Sequence, residues 1–138
     1  MNGIRRRLVR DEGGQELVEF ALASLVFLMT VFGTLEFGLA VWQYNMVSNL
    51  AQEGARWASV RGSTSAPLGG PVNEAAVRGF VQGRSVGINP DVSTSPAVVG
   101  TPGSTFSVTV TVNFAPLTQL IPLTTMPLTS TATMIVSR

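Results

Sequence analysis

A long apolar run near the N-terminus constrains this chain more than any other feature. The run extends from Leu17 to Leu35, and Glu19 is its only charged residue. As a helix, these 19 residues would be about 28 Å long, close to the roughly 30 Å hydrocarbon thickness of a bilayer. The sequence therefore predicts one transmembrane helix.

The arginines predict the orientation of this helix. All nine cationic side chains are arginine, and four of them precede the apolar run: Arg5, Arg6, Arg7 and Arg10. Positive charge is retained on the cytoplasmic side, and Trp42 and Tyr44 stand where an aromatic belt would form on the other side. We therefore expect a single-pass protein of the cell membrane with a cytoplasmic N-terminus and an extracytoplasmic C-terminal region. A final location at the cell surface fits the same orientation.

Two alternatives treat the same run as a plain targeting segment. It could be a cleaved secretory signal, with the small residues Gly38 to Ala40 forming a cleavage site before Val41. It could also be an uncleaved signal anchor. The run is longer than the roughly 7 to 15 apolar residues of a secretory signal, and Glu16 and Glu19 lie where such signals are basic or neutral.

Composition limits the chemistry that the chain can perform. The 138 residues are 45% hydrophobic, contain no cysteine or histidine, and include no lysine. This inventory excludes histidine-dependent triads and thiolate metal sites. Beyond Glu53 the only acids are Glu74 and Asp91, without the surroundings of a glycosidase pair. We expect no enzyme activity, cofactor, metal or small-molecule substrate, and the absence of a basic stripe argues against nucleic acid.

Helical character continues beyond the apolar run. No proline occurs before Pro67, and apolar residues recur at spacings of three and four up to Val60. The sequence predicts one helix from Gln15 to Val60, with a transmembrane inner half and an amphipathic outer half. Small residues in the outer half would let another element approach closely: Ala51, Gly54, Ala55 and Ala58.

The remainder predicts a small sheet and a short helix. The clearest strand is 106–114, in which Phe or Val alternates with Ser, Thr or Asn. A last strand at about 128–136 could pair with it, and a short edge strand is expected at 97–99. An amphipathic helix is expected within 72–86. The proline-interrupted segment 115–128 is expected to pack onto the sheet or onto a partner.

A specific motif lies at the start of the apolar run. Gly14 is followed by four residues, then by Glu19 and Phe20, behind a basic leader. This arrangement resembles the processing site of type IV pilin-like proteins. More narrowly, "GGQELVEFAL", "LEFG" and "AQEGARWASV" resemble TadE-like minor pilins, or pseudopilins, of the tight-adherence (Flp) secretion systems.

The resemblance implies a processing event and a role for the carboxylate. A prepilin peptidase would cut after Gly14, so that Gln15 becomes the N-terminus and Glu19 the fifth mature residue. Cutting after Gly13 would instead place Val18 fifth. In such assemblies the glutamate pairs with the N-terminal amine of a neighbouring subunit, and Phe20 lies beside it. The alternative is that Glu19 only stabilises the helix N-terminus; Glu36 is expected at the membrane interface.

The expected architecture is α+β and pilin-like. Residues 1–14 form a basic cytoplasmic leader, 15–60 the long helix, and 61–138 a small extracytoplasmic region whose antiparallel sheet is covered by the outer half of the helix. The implied function is a TadE-like minor pilin that supports assembly or anchoring of an adhesive Flp pilus. Its partners would be the membrane, the peptidase, other pilin-like subunits and the assembly machinery. The alternative is a signal-anchored adhesion module outside any filament.

Overall fold

The computed structural model describes residues 12–118 and 125–137. The elements in chain order are α1 (Glu12–Ser59), a 3₁₀ turn (Ala66–Leu68), α2 (Glu74–Gln82), β1 (Asp91–Ser95), β2 (Thr105–Phe114) and β3 (Met126–Ile135). A long apolar helix, a short helix and a three-stranded antiparallel sheet make an α+β protein, as predicted.

The chain divides into two compact units, Met1–Phe37 and Gly38–Arg138. In the first unit, the described residues are helical, and none of their side chains from Gln15 onward is buried. The second unit contains the rest of α1, α2 and the sheet, and it holds the hydrophobic core.

α1 is one uninterrupted helix of 48 residues. It begins three residues before the predicted start at Gln15 and ends one residue before the predicted end at Val60. The Arg61 N–H donates to the carbonyl of Ala58 at 2.8 Å, which tightens the last turn in the manner of a 3₁₀ bond. The helix ends here because the following segment, which begins at Gly62, is rich in Gly, Ser and Pro.

The sheet has the order β1-β2-β3, and both pairs are antiparallel. The predicted alternation of β2 is confirmed: Phe106, Val108 and Val110 are fully buried, whereas the hydroxyl residues between them are only partly buried. Val110 lies opposite Val92 of β1 on one side and Ser130 of β3 on the other. One face of the sheet is therefore mostly apolar, with Thr94 and Ser130 as exceptions, and the other carries hydroxyl groups.

The outer half of α1 covers the apolar face, as predicted. Residues of α1 that recur on one side of the helix join the core with Val77 and Val81 of α2 and the valines of the sheet: Val47, Leu50, Ala51, Ala55 and Ala58. A Cβ on Gly54 would lie 3.0 Å from Val81 Cγ2 and 3.4 Å from Val108 Cγ1. The small residues of α1 thus serve packing within this chain.

The prediction of a strand at 97–99 is wrong. Val98 forms only an isolated bridge with Asn73, and the edge strand of the sheet is β1, for which the sequence predicted no strand. β1 has one buried residue, Val92, so it shows no apolar alternation in the sequence. α2 lies within the segment 72–86 in which a short helix was predicted, and β3 begins at Met126 rather than at about Leu128. Much of the proline-interrupted segment, 119–124, lies outside the described residues.

Candidate functional site: the N-terminal segment of α1

The predicted processing and pairing residues lie in the first turns of the described helix. Gly14 is the third residue of α1, so the Gly14–Gln15 bond is inside the helix. Glu19 is exposed, and Phe20 is 73% exposed. The leader arginines, on which the predicted orientation depends, lie outside the described residues.

Glu19 lies on a shallow groove along one side of α1. The groove is lined at helical spacings of three and four by Gln15, Val18, Glu19, Leu22, Ala23, Val26 and Phe27. Glu19 is the only charged residue of this set. Neither a hydrogen bond nor an ion pair joins its carboxylate to another residue within 12–118 and 125–137. A carboxylate on an otherwise apolar helix face therefore has no partner in the described part of its own chain.

The hydroxyl groups on the inner half of α1 contrast with Glu19. Thr30 donates to the carbonyl of Val26 at 2.9 Å, and Thr34 donates to the carbonyl of Thr30 at 2.8 Å. Bonds of this kind satisfy a hydroxyl within the helix and make it compatible with lipid. These threonines need no partner from another chain.

The inner half of α1 has the length and composition of a membrane anchor. In the described residues, α1 is the one helix long and apolar enough to cross a membrane, and its most apolar window has no buried residue. Large apolar side chains point outward all along it, such as Leu17 at 70% exposure and Phe27 at 67%. A helix that is apolar all round needs either lipid or other helices around it. The segment fits a single-pass membrane anchor.

The two acids considered for catalysis are engaged in structural contacts. Arg78 Nη2 lies 3.2 Å from Glu74 Oε1 and 3.4 Å from Asp91 Oδ1. The same nitrogen donates to the carbonyl of Val92 at 2.8 Å. In the part of the chain that the structure describes, no group of three or more His, Cys, Asp or Glu residues is placed to hold a metal ion.

An arginine–aromatic cluster was not predicted from the sequence. Trp57 of α1 stacks on Phe80 of α2 with ring centroids 4.7 Å apart. The guanidinium of Arg61 lies over the Trp57 ring and that of Arg84 over the Phe80 ring, at 4.3 and 4.6 Å. Arg84 also forms a 3.0 Å ion pair with Glu53. The cluster joins α1 to α2. Its residues come from separate segments of the sequence and are brought together only by the fold.

Comparison with known proteins identifies the N-terminal segment. The family model for TadE-like proteins matches residues 14–56. This chain is therefore similar to TadE-like proteins over these residues, and the resemblance inferred from its motifs is confirmed there. No curated protein and no solved structure matches the chain.

Proposed function

We propose that this chain is a TadE-like minor pilin, or pseudopilin, which supports assembly or anchoring of a Tad (Flp) pilus and has no catalytic role. The observation that carries the proposal is the TadE-like match over residues 14–56, which covers the apolar helix and the motif at its start. TadE-like similarity by itself indicates a protein associated with the Tad pilus. The step to a processed subunit rests on the residues around Gly14.

Processing would occur at the Gly14–Gln15 bond. Cleavage there by a prepilin peptidase removes a leader of 14 residues and leaves a free α-amine on the first residue of a long apolar helix. The amine adds positive charge to the helix N-terminus, where the backbone dipole is already positive. The mature helix would therefore enter lipid with an unpaired cation at its end.

Glu19 is the proposed partner of such an amine on an adjacent subunit. Its carboxylate is exposed on an apolar groove and has no partner among the described residues. An ionised carboxylate within a membrane is costly, and pairing with an opposite charge lowers that cost. A pair between subunits would also fix how far one helix is displaced along the next.

The orientation supports the same role. A cytoplasmic leader places the cleavage site on the side of the basic residues, and the compact unit Gly38–Arg138 would lie across the membrane. In this proposal the inner half of α1 contacts lipid and other pilin-like helices. The outer half serves as the cover of its own sheet.

Intact-mass measurement of the membrane-derived protein tests processing. Gly14→Val should block cleavage, because a β-branched side chain next to the scissile bond obstructs the peptidase, and the protein should retain its leader. Gly13→Val is the matched control and should be cut normally. A mature start at Val41 would show a secretory signal instead, and an unprocessed wild-type chain in a strain with an active prepilin peptidase would refute the proposal.

Crosslinking to other pilin-like subunits tests the role of Glu19. Glu19→Ala should leave membrane insertion and cleavage intact, since an apolar residue is easier to place in lipid. Association should fall by roughly tenfold or more, because the amine of the neighbour loses its partner, at a cost of a few kcal/mol. Glu36→Ala removes an acid beyond the apolar run and should have little effect. Wild-type association of Glu19→Ala would show that the glutamate does not pair between subunits.

A membrane-anchored adhesion module is the second candidate. The hydroxyl face of the sheet favours it, because three cross-strand pairs form a regular uncharged array: Ser107–Thr133, Thr109–Thr131 and Thr111–Thr129, at 2.7, 2.8 and 3.0 Å. Such a module would function without cleavage. Retention of pilus-dependent adhesion by cells carrying Gly14→Val would favour this candidate over a processed subunit.

A further inference from the structure

The two edges of the sheet differ in how their backbone groups are satisfied. On β1, Arg78 of α2 donates to the carbonyl of Val92 at 2.8 Å, and Glu74 Oε2 accepts from the N–H of Thr94 at 3.3 Å. These two side chains occupy the positions that a neighbouring strand would take. α2 therefore closes the β1 edge against further pairing.

The backbone groups of β3 alternate between β2 and the outer edge. The N–H of Val136 donates to the carbonyl of Ser104 at 2.8 Å, so the even-numbered residues of β3 bond toward β2. The N–H and C=O groups of Thr129, Thr131 and Thr133 therefore point away from the sheet. Within the described ranges, 12–118 and 125–137, only β2 pairs with β3, and no side chain bonds to these outward groups.

Among the described residues, the core is also less covered beside this edge. On β2 the core-facing residues are 0% to 7% exposed. Their partners on β3 are less covered: Leu128, Ser130, Ala132 and Met134 are half-buried, and Met126 is 48% exposed. One more strand beside β3 would cover this strip, which is apolar except for Ser130.

No charge protects the β3 edge. Residues 125–137 contain no Asp, Glu, Lys or Arg, and the single proline of β3, Pro127, is its second residue. Natural edge strands are commonly protected by charges, by proline or by shortness, and β3 has ten residues. An unprotected edge of this kind offers a template on which another strand can pair.

We propose that the outer edge of β3 binds an extended, uncharged strand of a different polypeptide. The strand alternates apolar residues, which cover the strip of Leu128, Ala132 and Met134, with small hydroxyl residues, which continue the threonine face. A charged residue on the apolar side would be buried against this strip without a partner, so charge complementarity requires a neutral strand. This inference does not depend on cleavage at Gly14.

A second copy of this chain is a poorer occupant than a different polypeptide. Antiparallel pairing of two β3 strands places a twofold axis perpendicular to the sheet. This axis reverses the direction of every element that lies parallel to the plane of the sheet. The core residues of α1 extend from Val47 to Ala58, so this part of α1 lies along the sheet and would run in opposite directions in the two copies. The points at which the anchoring segment joins this unit, at Gly38, would then lie at opposite ends of the pair, which disfavours anchoring of both copies in one membrane. In parallel pairing of two β3 strands, the twofold axis runs along the strands and turns the apolar strip of the second copy to the opposite face of the sheet. Pairing of β3 with β1 of another copy is also excluded, because α2 closes the β1 edge.

Amide hydrogen exchange on the full chain in detergent micelles tests the open edge. The probe is a peptide with the sequence TFSVTVTVNF, which copies residues 105–114 and has the required alternation. Without peptide, the amides of Thr129, Thr131 and Thr133 should exchange quickly, whereas those of Ser130 and Ala132 should be protected. Saturating peptide should slow the three threonine amides by at least about tenfold and leave Thr94 unchanged. A peptide of the same composition with the alternation disrupted should have no effect.

Two variants separate edge pairing from general damage to the fold. Thr131→Pro removes an outward N–H and should abolish protection by the peptide, because an edge strand tolerates proline where the N–H faces outward. Thr131→Val keeps the N–H, so the peptide should still protect the remaining outward amides. If Thr131→Pro does not fold, Thr129→Pro provides the same test, since it removes a different outward N–H of the same edge.

Three results would overturn the proposal. Slow exchange of the three threonine amides in the free chain would show that the edge is already covered. Unchanged exchange at saturating peptide would show that the edge does not accept a strand. Because the chain contains no cysteine, a Thr131→Cys variant reports self-association directly, and disulfide-linked dimers formed in membranes would identify a second copy as the occupant.

Discussion

The packing of α1 on the sheet can be tested at one helical glycine, with a second glycine as its control. A Cβ on Gly54 would lie 3.0 Å from Val81 Cγ2 and 3.4 Å from Val108 Cγ1. A Cβ on Gly79 of α2 would meet nothing within 4 Å. Both residues are inside helices, so the same substitution has a similar effect on helix propensity at each. The difference between the two positions therefore isolates the packing between α1 and the rest of the core.

The expected free energies follow from this geometry. Alanine is more favourable than glycine in a helix by about 1 kcal/mol, so Gly79→Ala should stabilise by roughly that amount. At Gly54 the contact with Val81 should remove most of this gain. Gly54→Val adds two methyl groups beyond the Cβ in the same confined space, and overpacking costs about 1 to 3 kcal/mol. We expect Gly54→Val to destabilise by about 2 kcal/mol and Gly79→Val to remain within about 0.5 kcal/mol of wild type.

Thermal unfolding of the full chain in detergent, followed by near-ultraviolet circular dichroism, measures these differences. Trp57, stacked on Phe80, contributes a signal that depends on α1 and α2 remaining packed together. For a unit of this size, a loss of about 2 kcal/mol should lower Tm by roughly 10 °C. Equal Tm values for Gly54→Val and Gly79→Val would refute the close approach of α1 to Val81 and Val108.

Two further predictions concern orientation and the origin of the core. Thr101→Cys places a thiol on an exposed loop residue of the second unit. This thiol should react with a membrane-impermeant reagent on intact cells stripped of any outer barrier. Labelling only after lysis would reverse the proposed orientation. A fragment of residues 38–138 should unfold cooperatively, whereas a fragment of residues 61–138 should not, because α1 supplies Val47, Leu50, Ala51, Ala55 and Ala58 to the core; cooperative unfolding of the shorter fragment by calorimetry would contradict this.

Regular patterns of apolar residues over many consecutive positions made the main elements predictable. The absence of proline before Pro67 and the continuous helical pattern predicted α1 to within a few residues of its observed ends. The strict alternation of residues 106–114 predicted β2 and its buried face. The TadE-like resemblance could be inferred from the motif of Gly14, Glu19 and Phe20, because these residues lie close together in the sequence. Cleavage and pairing at these residues remain predictions.

Contacts between distant segments decided the rest, because no local pattern encodes them. β1 was missed because it buries only Val92 and is held by pairing with β2 and by Glu74 and Arg78 of α2. In the sequence, Glu74 and Arg78 are one turn apart on a short helix, which predicts only a surface ion pair. By itself the sequence determined a long apolar helix with a carboxylate at its start and a strand with one apolar face. Only the tertiary structure decided that α2 closes one edge of the sheet and leaves the β3 edge open in the described residues, since edge protection depends on which side chains reach the backbone groups across space.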